Sequence, residues 1–477
     1  LAIRSINQKA AVSVVFVAAI FMSIMDSTIV NVAIPTLARS FRVSLASVDT
    51  IVIAYLVSLA VFIPASGWLG DRLGGRRVLL AAVAIFTLAS AACGVAQSTG
   101  QLVVFRVVQG AAGGMLAPVG MSMLYRTFPP AERIRASAIL TVPTTFAPAL
   151  GPVVGGILVT DLSWRWVFYV NLPIGIATVV YGLVFLDEQP QPAPGRFDLP
   201  GFALAGVGLG SLMYGVSEGP LHGWGTPTVL ITVAVGAVLL AGLVRRELGT
   251  AAPLIDFRLL TSRVFRSANG IMFFATMGFL GVLYVVPLFL QEGRHTSALT
   301  SGLASFPEAI GVMVGAQVAT RAAYPRLGPR RLIFLGLLVV SSGMASMALL
   351  GADSSLWWVR GLMFLIGLGM AQVFIPCQAA AFADISPAAT ASASTFFNTQ
   401  RQVGGALGVA VVSTLLSAVG LAPGLHAYHV AFLTAATLAL VAAGLALTIH
   451  DHDADSTRPR GESRSATIGA SPPLTST

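Results

Sequence analysis

The sequence predicts an all-α polytopic membrane protein with fourteen transmembrane helices. Three observations carry that prediction. Hydrophobic residues make up 56% of the 477 positions and charged residues only 10%, with a mean hydropathy of +0.84; a soluble domain carries about 25% charged residues. Apolar runs recur that are long enough to cross a bilayer, which takes about 20 residues. The basic residues also alternate between connections: 21 of the 28 Lys and Arg fall on one side of the expected membrane. That bias places both termini in the cytoplasm and the chain in the cytoplasmic membrane, and an even number of spans satisfies it. The net charge of +9 follows from these loops, so no nucleic-acid partner is needed to explain it.

Taken in order, the spans are expected near 11–33, 47–69, 78–97, 100–124, 135–159, 165–186, 198–217, 226–245, 267–290, 298–320, 330–350, 355–382, 391–418 and 427–449. A Pro-rich linker covers 187–200, and a polar stretch runs from Arg245 to Arg266. Residues 451–477 are rich in Ser, Thr, Pro, Asp and Arg and lack an apolar face, so a disordered cytoplasmic tail is expected. An internal repeat organises the rest. Arg72-Leu73-Gly74-Gly75-Arg76-Arg77 returns 254 residues later as Arg326-Leu327-Gly328-Pro329-Arg330-Arg331, and the same offset maps Arg106 onto Arg360 and Gly151 onto Gly405. The chain then divides into an N-terminal six-helix bundle (1–186), a linker with two extra helices (187–266), a C-terminal six-helix bundle (267–450) and the tail (451–477). Repeated halves of this kind place a substrate site near the midplane between them.

Candidate functional residues stand where charge or glycine interrupts the apolar pattern. Asp26 lies in the first span, followed by Asn31. A carboxylate at that depth costs roughly 2.5–3.5 kcal/mol on insertion scales when charged, so it faces the bundle interior or water and can carry a proton. Gly67-Trp68-Leu69-Gly70-Asp71-Arg72-Leu73-Gly74-Gly75-Arg76-Arg77 joins the second and third spans. Its glycines permit a tight turn and its charges suit a conformational latch; a basic loop with incidental charge is the alternative. Pro325 takes the place of Asp71 in the second copy, which weakens any latch there. Arg106, Gln109, Gly110 and Gly113 share one face of the fourth span. Arg106 near Asp26 would favour the ionised carboxylate, or it would snorkel to the interface. In the fifth span Pro148, Gly151, Pro152, Gly155 and Gly156 suit a hinge or a tight seam. Glu308, after Pro307, is the other deep carboxylate, fitted either to bind a proton or a cationic group or to hydrogen-bond locally. Asn398 and Arg401 share a face in the thirteenth span, consistent with an ion pair, polar packing or contact with substrate. Cys93 and Cys377 lie in apolar segments and imply no disulfide framework. No nucleophile–base set, metal spacing or nucleotide loop appears, which argues against an enzyme and against a metal or organic cofactor.

In this order and spacing the motifs resemble the major facilitator superfamily, and in particular its fourteen-span drug:proton antiporter family. Asp26-Ser27-Thr28-Ile29-Val30-Asn31-Val32-Ala33-Ile34-Pro35 is similar to that family's first-span motif, and Gly67–Arg77 to the superfamily's loop signature, with Gly75 where a basic residue is common. Arg106–Gly110 resembles the proton-transfer motif. Gly151-Pro152-Val153-Val154-Gly155-Gly156 resembles the antiporter motif, with Ala147 at its usual opening glycine. Trp164-Arg165-Trp166-Val167-Phe168-Tyr169-Val170-Asn171-Leu172-Pro173-Ile174-Gly175 resembles a sixth-span signature. The resemblance implies a major facilitator fold, alternating access by two six-helix bundles, and proton-driven export of small amphiphilic substrates, cationic ones included. Asp26, Arg106 and Glu308 would serve proton coupling. Gly67, Asp71, Arg72, Gly74, Arg76 and Arg77 would form the latch, and Asn31, Gln109, Glu308, Asn398 and Arg401 would lie along the substrate path. A dedicated exporter of one natural product, such as an antibiotic or siderophore, and a membrane scaffold or sensor with a transporter fold remain alternatives.

Overall fold

The apolar runs become helices because hydrocarbon offers no partner to a backbone N–H or C=O, so each crossing segment must close its own hydrogen bonds. In the computed structural model the described residues are 7–43, 45–188, 195–250, 253–418 and 425–449. The expected tail, 451–477, and the side chains of Asn31 and Pro152 lie outside them. Among the described residues there are helices and no strands.

The first half comprises α1 (Gln8–Phe41), α2 (Leu45–Leu73), α3 (Gly75–Val95), α4 (Thr99–Thr127), α5 (Arg133–Asp161), and the short α6 (Trp166–Tyr169) followed by α7 (Asn171–Phe185). Two helices follow, α8 (Leu199–His222) and α9 (Pro227–Gly249). The second half comprises α10 (Arg263–Leu288), α11 (Ala298–Ser305), α12 (Pro307–Val318), α13 (Tyr324–Met347), α14 (Leu356–Ala381), α15 (Thr390–Ala418) and α16 (His426–Ala446). Polar caps start several of them: Ser98 on α4, Asp198 on α8, Ser262 on α10 and Ser355 on α14 each accept from a backbone N–H of the first turn.

Twelve stretches of the described residues are long and apolar enough to cross a membrane, rather than the fourteen expected. One of them, Thr300–Met347, has 48 residues. As a straight helix it would measure about 72 Å, more than twice a hydrocarbon core of about 30 Å, and Gly328 breaks it with φ +74°. The 29-residue α5 has several side chains outside the described residues, and Phe146–Asp161 within it forms a shorter apolar helix. Large apolar side chains such as Leu88, Val238 and Trp357 point outward, as a lipid-facing surface requires and a water-facing one does not.

The repeat is visible in backbone geometry. Gly74 (φ +93°) opens α3, and its counterpart Gly328 bends the chain within α13. Both lie in the left-handed region that favours glycine. The halves also share a tight seam built with the glycines exchanged. In the first, Gly110 and Gly114 of α4 lie against the backbone of α2 at Tyr55 and Leu59. In the second, Gly311 and Gly315 of α12 lie against α14 at Phe364 and Leu368, which occupy the positions equivalent to Gly110 and Gly114.

The halves meet through α2, α4 and α5 on one side and α11, α12, α14 and α15 on the other. At the end carrying the Arg-rich loops the closure is firm. Tyr125 stacks on Phe382 with centroids 4.3 Å apart, Arg126 Nε donates to Pro387 O (3.1 Å), and Arg133 Nη1 donates to Ala383 O (3.0 Å). The inserted α8 packs against both α2 and α15, while α9 packs on α8 and is largely outward-facing. Trp68 Nε1 donates to Gly195 O at one end of the insert, and Trp224 Nε1 donates to Thr414 Oγ1 at the other.

Candidate functional site

Asp26 lies within α1, Arg106 and Gln109 stand three residues apart on α4, and Asn171 is the first residue of α7. All four are 0% exposed. Arg106 Nη1 donates to Asp26 Oδ2 and also to Gln109 Oε1 (2.8 Å). Asp26 Oδ1 accepts from Gln109 Nε2 (3.0 Å) and from Asn171 Nδ2 (2.8 Å). Asn171 Nδ2 reaches Ser90 Oγ as well (3.0 Å), and Ser90 Oγ donates to Phe168 O (2.9 Å). The Arg106 guanidinium carbon lies 3.9 Å from the centroid of the Tyr55 ring, whose hydroxyl meets Ser23 Oγ (3.2 Å).

A buried ion pair repays its desolvation only when further hydrogen bonds satisfy its remaining polar atoms, and a cation over an aromatic face gains more when water is excluded. This pair has both forms of support. Two atoms stay unpaired, Arg106 Nε and Asn171 Oδ1. The arrangement excludes snorkelling of Arg106 to the interface. It can do one simple thing chemically: a proton added to Asp26 removes the counter-charge of Arg106, so the pair exists in one protonation state and not in the other. Asn171 lies within the sixth-span signature, without a role assigned from sequence alone. Its signal was present, as an amide two residues before Pro173 in an otherwise apolar run.

The glycines of α5 press on the same place. A Cβ on Gly151 would run into the Thr28 side chain, and one on Gly155 would sit 2.9 Å from Ile29 Cγ1, so α5 presses on α1 just after Asp26. Gly156 has open space around it and takes no part in that contact. α5 continues as helix through Pro148 and Pro152.

In the loop signature, Asp71 pairs with Arg126 (2.9 Å) rather than with its own loop arginines. Arg126 thereby links α2, α4 and, through Pro387 O, the other half. The sequence reading counted Arg126 only as a loop charge. Gly67 lies where a Cβ would be 2.7 Å from Thr395 Oγ1, so α2 and α15 touch there. Arg76 Nη2 donates to Leu183 O (2.7 Å), its backbone N–H to Glu188 Oε1 (3.2 Å), and Arg77 Nε lies 3.9 Å from Glu188 Oε2. Gly74 leaves the room that the Glu188 carboxyl fills. Arg72 is exposed, with no such bond among the described residues.

The remaining candidates lie apart from Asp26. Glu308 is 4% exposed in the first turn of α12, with Oε1 buried and unpaired and no bond to Asp26 or Arg106. Its backbone presses against Gly367. Asn398 Nδ2 donates to Ser394 O (2.8 Å) and approaches Met121 Sδ of the first half (3.3 Å). Arg401 makes no ion pair among the described residues, so the structural-pair alternative does not hold for it. No group of three or more His, Cys, Asp or Glu there is suited to a metal.

The profile of the Major Facilitator Superfamily matches residues 16–409. The chain belongs to this superfamily. Within it, the chain is 35% identical over 408 residues to the multidrug resistance protein B homolog of Mycobacterium tuberculosis, covering 84% of this chain and 75% of that one. It is 32% identical over 404 residues to the multidrug export protein EmrB of Escherichia coli, covering 83% and 78%. The human organic anion transporter MFSD10 superposes with a TM-score of 0.67 at 17% identity, covering 92% of this chain and 99% of that one, a likeness of fold. The superfamily's members are transporters. This chain is therefore a multi-pass membrane transporter, related to multidrug-efflux proteins, and not an enzyme.

Proposed function

We propose that the chain is a proton-coupled antiporter that exports drugs and other small amphiphilic molecules across the cytoplasmic membrane, with fourteen crossings and both termini inside. The observation that carries the reading is the sealed Asp26–Arg106 pair with its Gln109 and Asn171 donors. A carboxylate at 0% exposure exchanges protons only in a conformation other than this one. Proton transfer and the rocking of the halves are thereby tied together. Protonation from outside frees Arg106 from its counter-charge and favours one arrangement; substrate taken from inside favours the other. Neither ligand shifts the equilibrium except through its differential binding to the two states. The multidrug relatives support a drug-like cargo.

The energetics are sufficient. One charge moved inward through about 100 mV yields about 2.3 kcal/mol, which supports a gradient of around fortyfold at about 1.4 kcal/mol per tenfold. The test uses purified protein in liposomes with an internal pH dye and an imposed proton gradient. Ethidium is expected to trigger proton movement, and Asp26→Asn to abolish it while inserting normally. Full efflux by Asp26→Asn would refute the coupling role.

A further inference from the structure

Three arginines lie in or at the edge of the apolar segments, and two are accounted for. Arg106 is paired with Asp26, and Arg360, near the start of α14, rests 4.6 Å from the Trp357 ring centroid. Arg401 is different. It stands eleven residues into α15 from Thr390. At 1.5 Å per residue that is about 16 Å, the middle of a core about 30 Å thick. Among the described residues it makes no hydrogen bond, ion pair or ring contact, and neither Asp26 nor Glu308 pairs with it. It is half-buried, and none of its guanidinium nitrogens is sealed, so the group keeps access to its surroundings.

Its neighbours along the helix are polar, several of their atoms unpaired. Ser394, Asn398 and Arg401 follow one another at i, i+4 and i+7 along one face of α15. Ser394 is 0% exposed with an unpaired Oγ, and both polar atoms of the Gln400 side chain are buried without partners. Further along α15 the same side is packed against α10. A Cβ on Gly404 would sit 3.0 Å from Phe273, and Gly408 lies against the Met277 backbone. That packing turns the face bearing Arg401 inward, against rolling it toward lipid. A lone guanidinium at this depth is costly unless water or an anion faces it. Guanidinium also presents a planar fork matched to carboxylate-like groups.

We propose that Arg401, with Asn398 beside it, is an anion subsite of the transport path, taking the carboxylate, phenolate or sulfonate of an amphiphilic substrate. This rests on the export reading and names one substrate class for it. It also sets the electrical balance. Exchange of one anion outward for one proton inward moves two charges in the favourable direction. A neutral substrate moves one and a cation none. Each charge is worth around fortyfold of gradient per 100 mV, so a membrane potential drives anion export most and cation export least.

The experiment compares two probes with one hydrophobe, pyrenebutyrate and pyrenebutanol, bound to the purified full chain and followed by tryptophan-to-pyrene energy transfer. The chain is expected to prefer the carboxylate by about tenfold or more, the scale of a charged hydrogen bond. Arg401→Gln erases the preference and Arg401→Lys keeps most of it, which also shows that the site tolerates substitution. Equal binding of both probes by the unaltered chain, or a preference that survives in Arg401→Gln, overturns the proposal. Proton movement in liposomes separates it from the export reading. Movement triggered by pyrenebutanol alone leaves export standing and removes the anion subsite. A carboxylate preference without movement for any probe leaves the subsite standing and removes export.

Discussion

At the level of single side chains, Asp26 needed three helices to become a usable group. Its donors come from α4 and α7, and the aromatic face that covers Arg106 comes from α2. Asn171 is the donor whose loss is most informative, because Gln109 would then hold Oδ1 alone. A hydrogen bond to a charged group contributes about 1.5–3 kcal/mol. Asn171→Ala is therefore expected to lower proton-driven export by roughly tenfold or more in the liposome assay, with the protein still inserted. Unchanged export would mean that the Gln109 bond suffices. Asp26, Arg106 and Gln109 were legible in the sequence because charge in an apolar run is conspicuous, and i, i+3 spacing fixes a shared face. Asn171 was less so: an amide at a helix start is ordinary until the fold brings Asp26 to it. Glu308 is the converse case. Its depth was legible, but its isolation from Asp26 was not, since separation between halves is a tertiary fact.

At the level of helices, the glycines of α5 divide into those that touch α1 and one that does not. Gly151 faces Thr28 and Ile29, whereas Gly156 faces open space. Gly151→Ala is expected to cost about 1–3 kcal/mol through overpacking, and Gly156→Ala to stay within about 0.5 kcal/mol. Thermal unfolding of the two variants in detergent checks this; equal destabilisation would show that the seam yields. A motif read from sequence cannot make this distinction, because it specifies spacing and not which face meets the neighbour. The same limit applied to the latch. Asp71 was legible as a charge seeking a partner, but its partner is Arg126, at the end of the neighbouring α4. The span count met a different obstacle. Gly328 bends the chain without ending the run of hydrogen-bonded turns, so one stretch is long enough for two crossings.

Over the whole molecule, two repeated halves are joined most firmly at the end bearing the Arg-rich loops. Tyr125 stacks on Phe382, Arg126 reaches Pro387 and Arg133 reaches Ala383, all across the boundary between halves. The 254-residue offset suggested a two-fold organisation, and Gly74 and Gly328 share a positive φ at that offset. Which end is closed was not, because closure is a state and one sequence encodes more than one. If transport requires this end to open, a covalent bond across it must stop the cycle. Ser66 Oγ and Thr395 Oγ1 stand 3.5 Å apart, on α2 and α15, beside the Gly67 contact. Side-chain oxygens this close bring the two positions within the reach of a disulfide once each is cysteine, so Ser66→Cys with Thr395→Cys is placed to form one. The native Cys93 and Cys377 are both buried and free. Oxidation of the double variant is expected to abolish substrate-triggered proton movement, and reduction to restore it, with each single variant insensitive to oxidant. Transport by the fully cross-linked protein would show that the Arg-rich end stays shut throughout the cycle. The moving boundary would then have to be sought elsewhere, beginning with the seam between α5 and the α11–α12 pair.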